Sequence, residues 1–376
     1  MRPFVFCSFL QAGFECSTHK TASGRRLDLI ASTYHDRYLR QDYQRLLDIG
    51  IRTVREGIRW HLIERQRSRY DFSSVLPMIE AAQRMGIQII WDVLHFGWPD
   101  FLDVFSSDWV DSFAELSARF ASLLREKTST EVFIAPINEI SFLSWGGGED
   151  AHIFPFERRR GSEMKRQLVK AAIKATIEIR KELPGVRLVS PEPVIHIVGD
   201  PTRPEDVRSA EEYRTSMFEA WDMLTGRVSP ELGGKEDLFD VIGINYYDSN
   251  QWWNHGKTIF RGEPAYRPFR DILQEVYQRY RRPLFVAETG TEDAKRPVWF
   301  RYICEEVSAA QQAGVPVHGI CLYPILNHPG WNDDRHCYNG LWDYPNSDGA
   351  RDIYQPLADE IRRQENLWKG LRGVAS

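Results

Sequence analysis

The sequence predicts an α/β protein, a (β/α)8 TIM barrel forming a single domain over residues 1–376, and three observations carry that prediction. Short apolar, β-rich runs alternate with amphipathic helical patterns from end to end. There are eight of each. The long connections follow the strands rather than the helices. Alternation of this kind implies parallel strands with helical crossovers, and eight repeats at this length favour a closed barrel over an open sheet. At ~150 residues per domain the length alone suggests two or three domains, with one large barrel also admissible. No G-x-G-x-x-G follows the first run, which disfavours a dinucleotide fold.

The predicted strands, in order, are FVFCSF (4–9), IRTVREG (51–57), IQIIWDVL (87–94), EVFIAPIN (131–138), VRLVSPE (186–192), LFDVIGIN (238–245), LFVAE (284–288) and VHGICLY (317–323). Their near-continuous hydrophobicity fits strands covered on both faces. Between them lie helical patterns at Asp36 to Asp48, Ser73 to Met85, Asp108 to Arg125, Gly161 to Leu183, Glu205 to Leu224, Arg270 to Arg281 and Pro297 to Ala313; Asp352 to Leu371 closes the chain. Gly50, Gly86 and Gly314 each follow a helical pattern and precede a strand, where a left-handed C-terminal residue is common. The long connections (10–35, 139–160, 192–207, 246–268 and 324–350) would form the C-terminal face, where barrel active sites assemble. They hold His19, Trp145, His152, Trp252, Trp253, His255, Trp331 and His336.

Lys and Arg number 48 against 53 Asp and Glu, so the formal charge is −5. That argues against gripping phosphate backbones, and no nucleic acid is expected as partner. No apolar run approaches the ~20 residues of a membrane helix. The five cysteines (Cys7, Cys16, Cys304, Cys321 and Cys337) show no CxxC spacing, and an odd number cannot all pair. They read as reduced thiols, and with no recognisable leader the expectation is a cytoplasmic protein. Neither H-x-H on the first strand nor HExxH occurs, so neither metal nor cofactor is expected.

Two glutamates end strands: Glu139 in PINEI after the fourth and Glu288 in VAETG after the seventh. Those strands lie three apart around an eight-stranded ring, so their ends can face each other across the mouth. Retaining glycosidases need two carboxyl groups ~5–5.5 Å apart, one protonating the leaving oxygen and one attacking the anomeric carbon. Either Glu could instead cap a helix or pair with an arginine.

PINEI resembles the NEP-type motif of clan A glycoside hydrolases, and VAETG the ITENG-type nucleophile motif of glycoside hydrolase family 1. IGINYY (242–247), VREGIRW (54–60), LHFGWP (94–99), LYPILNHPGW (322–331) and NGLWDYP (339–345) resemble further motifs of that family, in family order. The resemblance implies a β-glucosidase-like retaining β-glycosidase, a short and divergent member. It makes Glu139 the acid/base and Glu288 the nucleophile. It has Arg55 and Tyr247 hydrogen-bond the nucleophile, and Asn138 and His95 meet sugar hydroxyls. Asn245, Glu15, Tyr323 and Trp331 complete the implied sugar site. A guanidinium beside a carboxylate favours its charged form and fixes its orientation. A second carboxylate helps the acid keep its proton.

Three departures fall on the sugar-gripping positions. Glu15 stands where the family has Gln, Tyr323 where it has Trp, and Gly330 where it has the Glu that grips outer hydroxyls. The sugar therefore cannot be inherited from the resemblance. The chain is short for the family, which implies trimmed loops and a more open cleft. Trp98, Trp145, Trp252, Trp253 and Trp331 are candidates to stack on sugar faces. Tyr323-Pro324 is expected to be cis, since X–Pro bonds tolerate it at ~0.5–1 kcal/mol. The expected substrate is a β-linked glycoside or oligosaccharide, with sugar, linkage and oligomeric state unread. A transglycosidase on the same machinery and a non-catalytic carbohydrate-binding barrel are the rivals.

Overall fold

The computed structural model describes residues 5–254 and 256–373; Phe4 and His255 lie outside that set. Eight parallel strands close into a barrel: β1 (Leu10–Gly13), β2 (Thr53–Gly57), β3 (Gln88–Leu94), β4 (Phe133–Ile137), β5 (Arg187–Pro193), β6 (Val241–Asn245), β7 (Leu284–Thr289) and β8 (Val317–Leu322). Closure is made by β1 pairing with β8, Leu10 opposite Ile320. The principal outer helices are α1 (His35–Asp48), α2 (Leu76–Met85), α3 (Ser107–Lys127), α4 (Gly161–Glu182), α5 (Pro204–Thr215), α6 (Phe269–Tyr280), α7 (Arg296–Gln312) and α8 (Gln355–Gly373). The single helical pattern over 205–224 is divided: a 3-10 turn at Ser216–Phe218 separates α5 from a short helix at Glu219–Leu224. Gly50, Gly86 and Gly314 all adopt positive φ, as their positions between helix and strand require.

Strand periodicity sorts the side chains into two layers. On β3, Ile89 and Trp91 face the helices, while Ile90 turns inward to join Phe133, Val189, Val241 and Phe285 at the barrel floor. Phe6 caps this inner layer, its ring 4.9 Å from both Phe133 and Phe285. This corrects the first predicted strand. Residues 5–9 of that run plug the barrel floor, and the strand itself is the next segment, Leu10–Gly13. Side chains from the floor serve the plug's backbone: Val5 N–H donates to His318, Cys7 N–H to Gln88 and Ser8 N–H to Thr53. The opposite end of the barrel carries the polar inward residues Arg55 and Asp92, both fully buried.

Candidate active site

Two local irregularities aim the glutamates. On β7, Phe285 and Ala287 face inward, so strict alternation would send Glu288 out towards the helices. Register shifts against β6 and β8 near the end of β7 reset the phase. Glu288 then faces the mouth, while Thr289 points out and accepts a hydrogen bond from Trp299. Such irregularities re-aim side chains beside active sites. Glu139, just past β4, takes a left-handed turn with φ 48° and donates its N–H to Pro191. Buried Glu192, at the end of β5, accepts the next two backbone N–H groups, Ile140 at 2.7 Å and Ser141 at 3.0 Å, and so holds that turn.

The two carboxyl groups sit in contrasting environments. Glu288 is held on both oxygens. Arg55 donates to Oε1 and the Tyr247 hydroxyl to Oε2, each at 2.9 Å. Burial and the neighbouring charge of Glu288 raise the Tyr247 pKa well above that of a free phenol, so it serves as the donor. Arg55 is fixed in turn by the Ala287 carbonyl (2.9 Å), Asp92 (2.6 Å) and the Asn138 side-chain oxygen (3.0 Å). Among the described residues the Glu139 carboxyl receives only an amide, Asn245 Nδ2 to Oε1 at 2.9 Å. Burial and the charge of Glu288 push its pKa up to about 8, against the lowering effect of Asn245. One carboxyl group is thus braced by a cation and a phenol, and the other is biased to keep a proton near neutrality.

The remaining residues named from sequence also meet at this end. His95 Nδ1 is bonded to Asp92 (3.1 Å), and its Nε2 lies 3.4 Å from the Asn138 amide and 3.4 Å from the Tyr323 hydroxyl. Burial opposes a charge on His95, but Cys16, Asp92 and Glu15 outweigh it and hold its pKa well above the free value. The Tyr323-Pro324 bond is cis, as anticipated, and the Tyr323 ring lies parallel to His95 at 5.8 Å. Glu15 accepts from the Ser17 N–H at 2.9 Å and stands 3.9 Å from His95. Trp331 meets His19 edge-on at 4.8 Å, which makes His19 a buried packing partner rather than an open loop residue. At Gly330 a Cβ would fall 2.2 Å from the Asp333 carboxylate, an exposed side chain that would have to turn aside.

The tryptophans divide. Trp98 is a core residue, 1% exposed and packed on Trp109 and Phe154, so it offers no face to a ligand. Trp145 and Trp252 line a cavity of about 670 Å³ whose wall includes Ser141 and Phe142, on the turn that follows Glu139. A second hollow of about 390 Å³ reaches Tyr247 and Tyr323. Sequence reasoning passed over Asp92, Glu192 and Cys16. Asp92 carried a signal, a lone charge within the apolar run IQIIWDVL. Glu192 carried one too, as the charge that ends the apolar run VRLVSPE, whereas Cys16 carried none.

The fold and mouth together define a class: a (β/α)8 barrel with two strand-end glutamates, one of them held by an arginine and a tyrosine. The chain matches no protein-family model. Its resemblance to family 1 β-glucosidases extends along nearly its whole length. It is 23% identical to "Beta-glucosidase 1B" of Phanerodontia chrysosporium over 396 residues, covering 84% of this chain and 73% of the relative. It superposes on the family 1 β-glucosidase of Thermotoga maritima with a TM-score of 0.76 at 16% identity, covering 96% of this chain and 98% of the other. The AHE enzyme of Alicyclobacillus herbarius gives a TM-score of 0.80 at 16% identity, over 97% and 100% of the two chains.

Proposed function

We propose that this protein is a retaining β-glycoside hydrolase acting by double displacement on a β-linked glycoside or oligosaccharide. The observation that carries the reading is the asymmetry of the two glutamates: Glu288 braced by Arg55 and Tyr247, Glu139 buried with only an amide for company. In the first step a Glu288 oxygen attacks the anomeric carbon as the Glu139 proton passes to the glycosidic oxygen. The bond to the leaving group breaks, and a covalent glycosyl-enzyme forms. In the second step Glu139, now a carboxylate, takes a proton from water. The resulting hydroxide equivalent attacks the same carbon, and Glu288 leaves, so the sugar keeps its configuration. Loss of the proton from Glu139 during the first step is what makes it a base for the second.

Asn138, His95, Glu15, Asn245, Tyr323 and Trp331 would hold the sugar. The names of the β-glucosidases above support a β-configured substrate. We place the protein in the cytoplasm as one catalytic domain. All five cysteines are unpaired, which suits a reducing compartment, and no described helix is long and apolar enough to cross a membrane. The Glu288→Gly variant tests the mechanism. Hydrolysis is expected to vanish and to return in part with azide or formate, which enter the vacated space as external nucleophiles. Full activity in that variant would overturn the mechanism.

A further inference from the structure

We propose that Asp92 is a positioning residue for this reaction, one carboxylate aligning both the arginine that braces the nucleophile and the histidine that meets the sugar. The inference rests on the glycosidase reading. Asp92 lies on β3 and is fully buried, so it meets no substrate and acts only through its neighbours.

Its Oδ2 accepts from Arg55 Nη2 at 2.6 Å and from His95 Nδ1 at 3.1 Å. The other arm of the same guanidinium, Nη1, donates to Glu288 Oε1 at 2.9 Å. A guanidinium is a rigid planar fork, so fixing one nitrogen aims the other. The imidazole obeys the same rule. Held at Nδ1, it presents Nε2 to the Tyr323 hydroxyl and the Asn138 amide, each 3.4 Å away. Asp92 Oδ1 has no partner among the described residues. Among those residues both hydrogen bonds of Asp92 therefore go to side chains of the site. Glu192 differs, since it holds two backbone N–H groups. A buried ion pair is weak support for a fold, and apolar residues often serve a core as well. Asp92 nonetheless interrupts the apolar run IQIIWDVL.

The contact also sets what His95 can offer a sugar. The ring is faced by Asp92 from its own strand, by Glu15 and Cys16 from the connection after β1, by Asn138 after β4 and by Tyr323 after β8. Glu139 lies close enough to feel its charge, and His19 is kept neutral by burial, its pKa lowered to about 4. Of the carboxylates around the ring, Asp92 is at hydrogen-bonding distance and Glu15 stands off at 3.9 Å. A carboxylate on Nδ1 favours the imidazolium. Its Nε2–H is then a charge-assisted donor, roughly twice as strong as a neutral one.

The test compares the full-length protein with Asp92→Asn, which keeps the shape and removes the charge. In the variant kcat should fall about tenfold as the brace on Glu288 loosens. KM should rise about fivefold as the His95 donor weakens. A new decline in kcat/KM should appear as pH rises through ~6.5, where an unassisted imidazole loses its proton. The unmodified enzyme should show no such step below the one set by Glu139. A purely structural role would reduce the folded fraction and leave KM and the pH profile alone; that result would overturn the proposal. Combined with His95→Gln, Asp92→Asn should cost less than the product of the two single losses, because the two share a contact. Losses that multiply would overturn it as well. Should Asp92→Asn fail to fold, NMR of isotopically labelled histidines in the unmodified protein decides. His95 is expected to carry protons on both ring nitrogens near neutral pH, and a neutral ring would overturn the proposal. Failure of the unmodified protein to hydrolyse any β-glycoside would instead defeat the glycosidase reading on which the inference stands.

Discussion

Two buried charge clusters flank β2, and they use the same ingredients for opposite ends. On the helix side, His35 bridges Asp42 and Glu56 at 2.9 Å each, Tyr43 donates to Glu56, and Arg45 and Arg351 both bind Asp42. Two carboxylates face two guanidinium groups and an imidazole. Burial opposes a charge on His35, yet Glu56 and Asp42 raise its pKa to about 9. On the barrel side, Arg55 is shared by Asp92 and Glu288, His95 serves Asp92, and Glu139 has no ion-pair partner among the described residues. The first cluster closes on itself and is built to hold α1 against β2. The second leaves one carboxyl group unpaired beside a charge. Unbalanced burial of that kind shifts a pKa towards the working pH.

Among variants that keep the nucleophile, removing the unpaired acid is expected to have the largest effect. Glu139→Gln should lower kcat/KM by roughly 10²–10⁴-fold on alkyl β-glycosides. It should cost far less on dinitrophenyl glycosides, whose leaving groups need no proton; equal losses on both would remove Glu139 from the acid role. In the unmodified enzyme kcat/KM should fall as pH rises through about 8, where Glu139 loses its proton. The alkaline limb should disappear in Glu139→Gln. Tyr247→Phe comes next. It deletes one hydrogen bond to a charged group, worth ~1.5–3 kcal/mol, so kcat should drop about 10- to 100-fold in stopped assays.

The helix-side cluster should answer in stability rather than activity. The imidazolium of His35 stabilises the fold fully below pH 6.5, and that stabilisation is lost as pH rises through about 9. The amount is of the order of 3 kcal/mol. Urea unfolding across this range should show the loss in the native protein and not in His35→Gln. The variant should be less stable at neutral pH, while its kcat near neutrality stays within about twofold. A large kcat loss in folded His35→Gln would erase the distinction between the clusters.

The sequence made most of the barrel legible because buried parallel strands write themselves as apolar runs, seven of them found within a few residues of their place. The eighth was misplaced for a physical reason. The plug around Phe6 buries apolar surface at the barrel floor as thoroughly as a strand would, and composition does not separate the two. Glu139 and Glu288 were visible because charges at the ends of apolar strands are conspicuous. The irregularity in β7 that turns Glu288 inward was not visible, since it depends on register against both neighbours. Nor was the brace of Glu192 beneath the Glu139 turn, which joins two strands through backbone N–H groups that have no letter in the sequence. The aromatic cavity gathers residues from three separate connections and emerges only when they fold together.

The most direct test of the central claim is covalent capture of the nucleophile. Incubation with dinitrophenyl 2-deoxy-2-fluoro-β-glycosides of several sugars slows both steps and traps the glycosyl-enzyme. The account predicts a mass gain of one fluoroglycosyl group on the intact protein, carried by the peptide that holds Glu288 and absent from Glu288→Gln. An adduct on Glu139, or a hydrolysed product of inverted configuration, would contradict it.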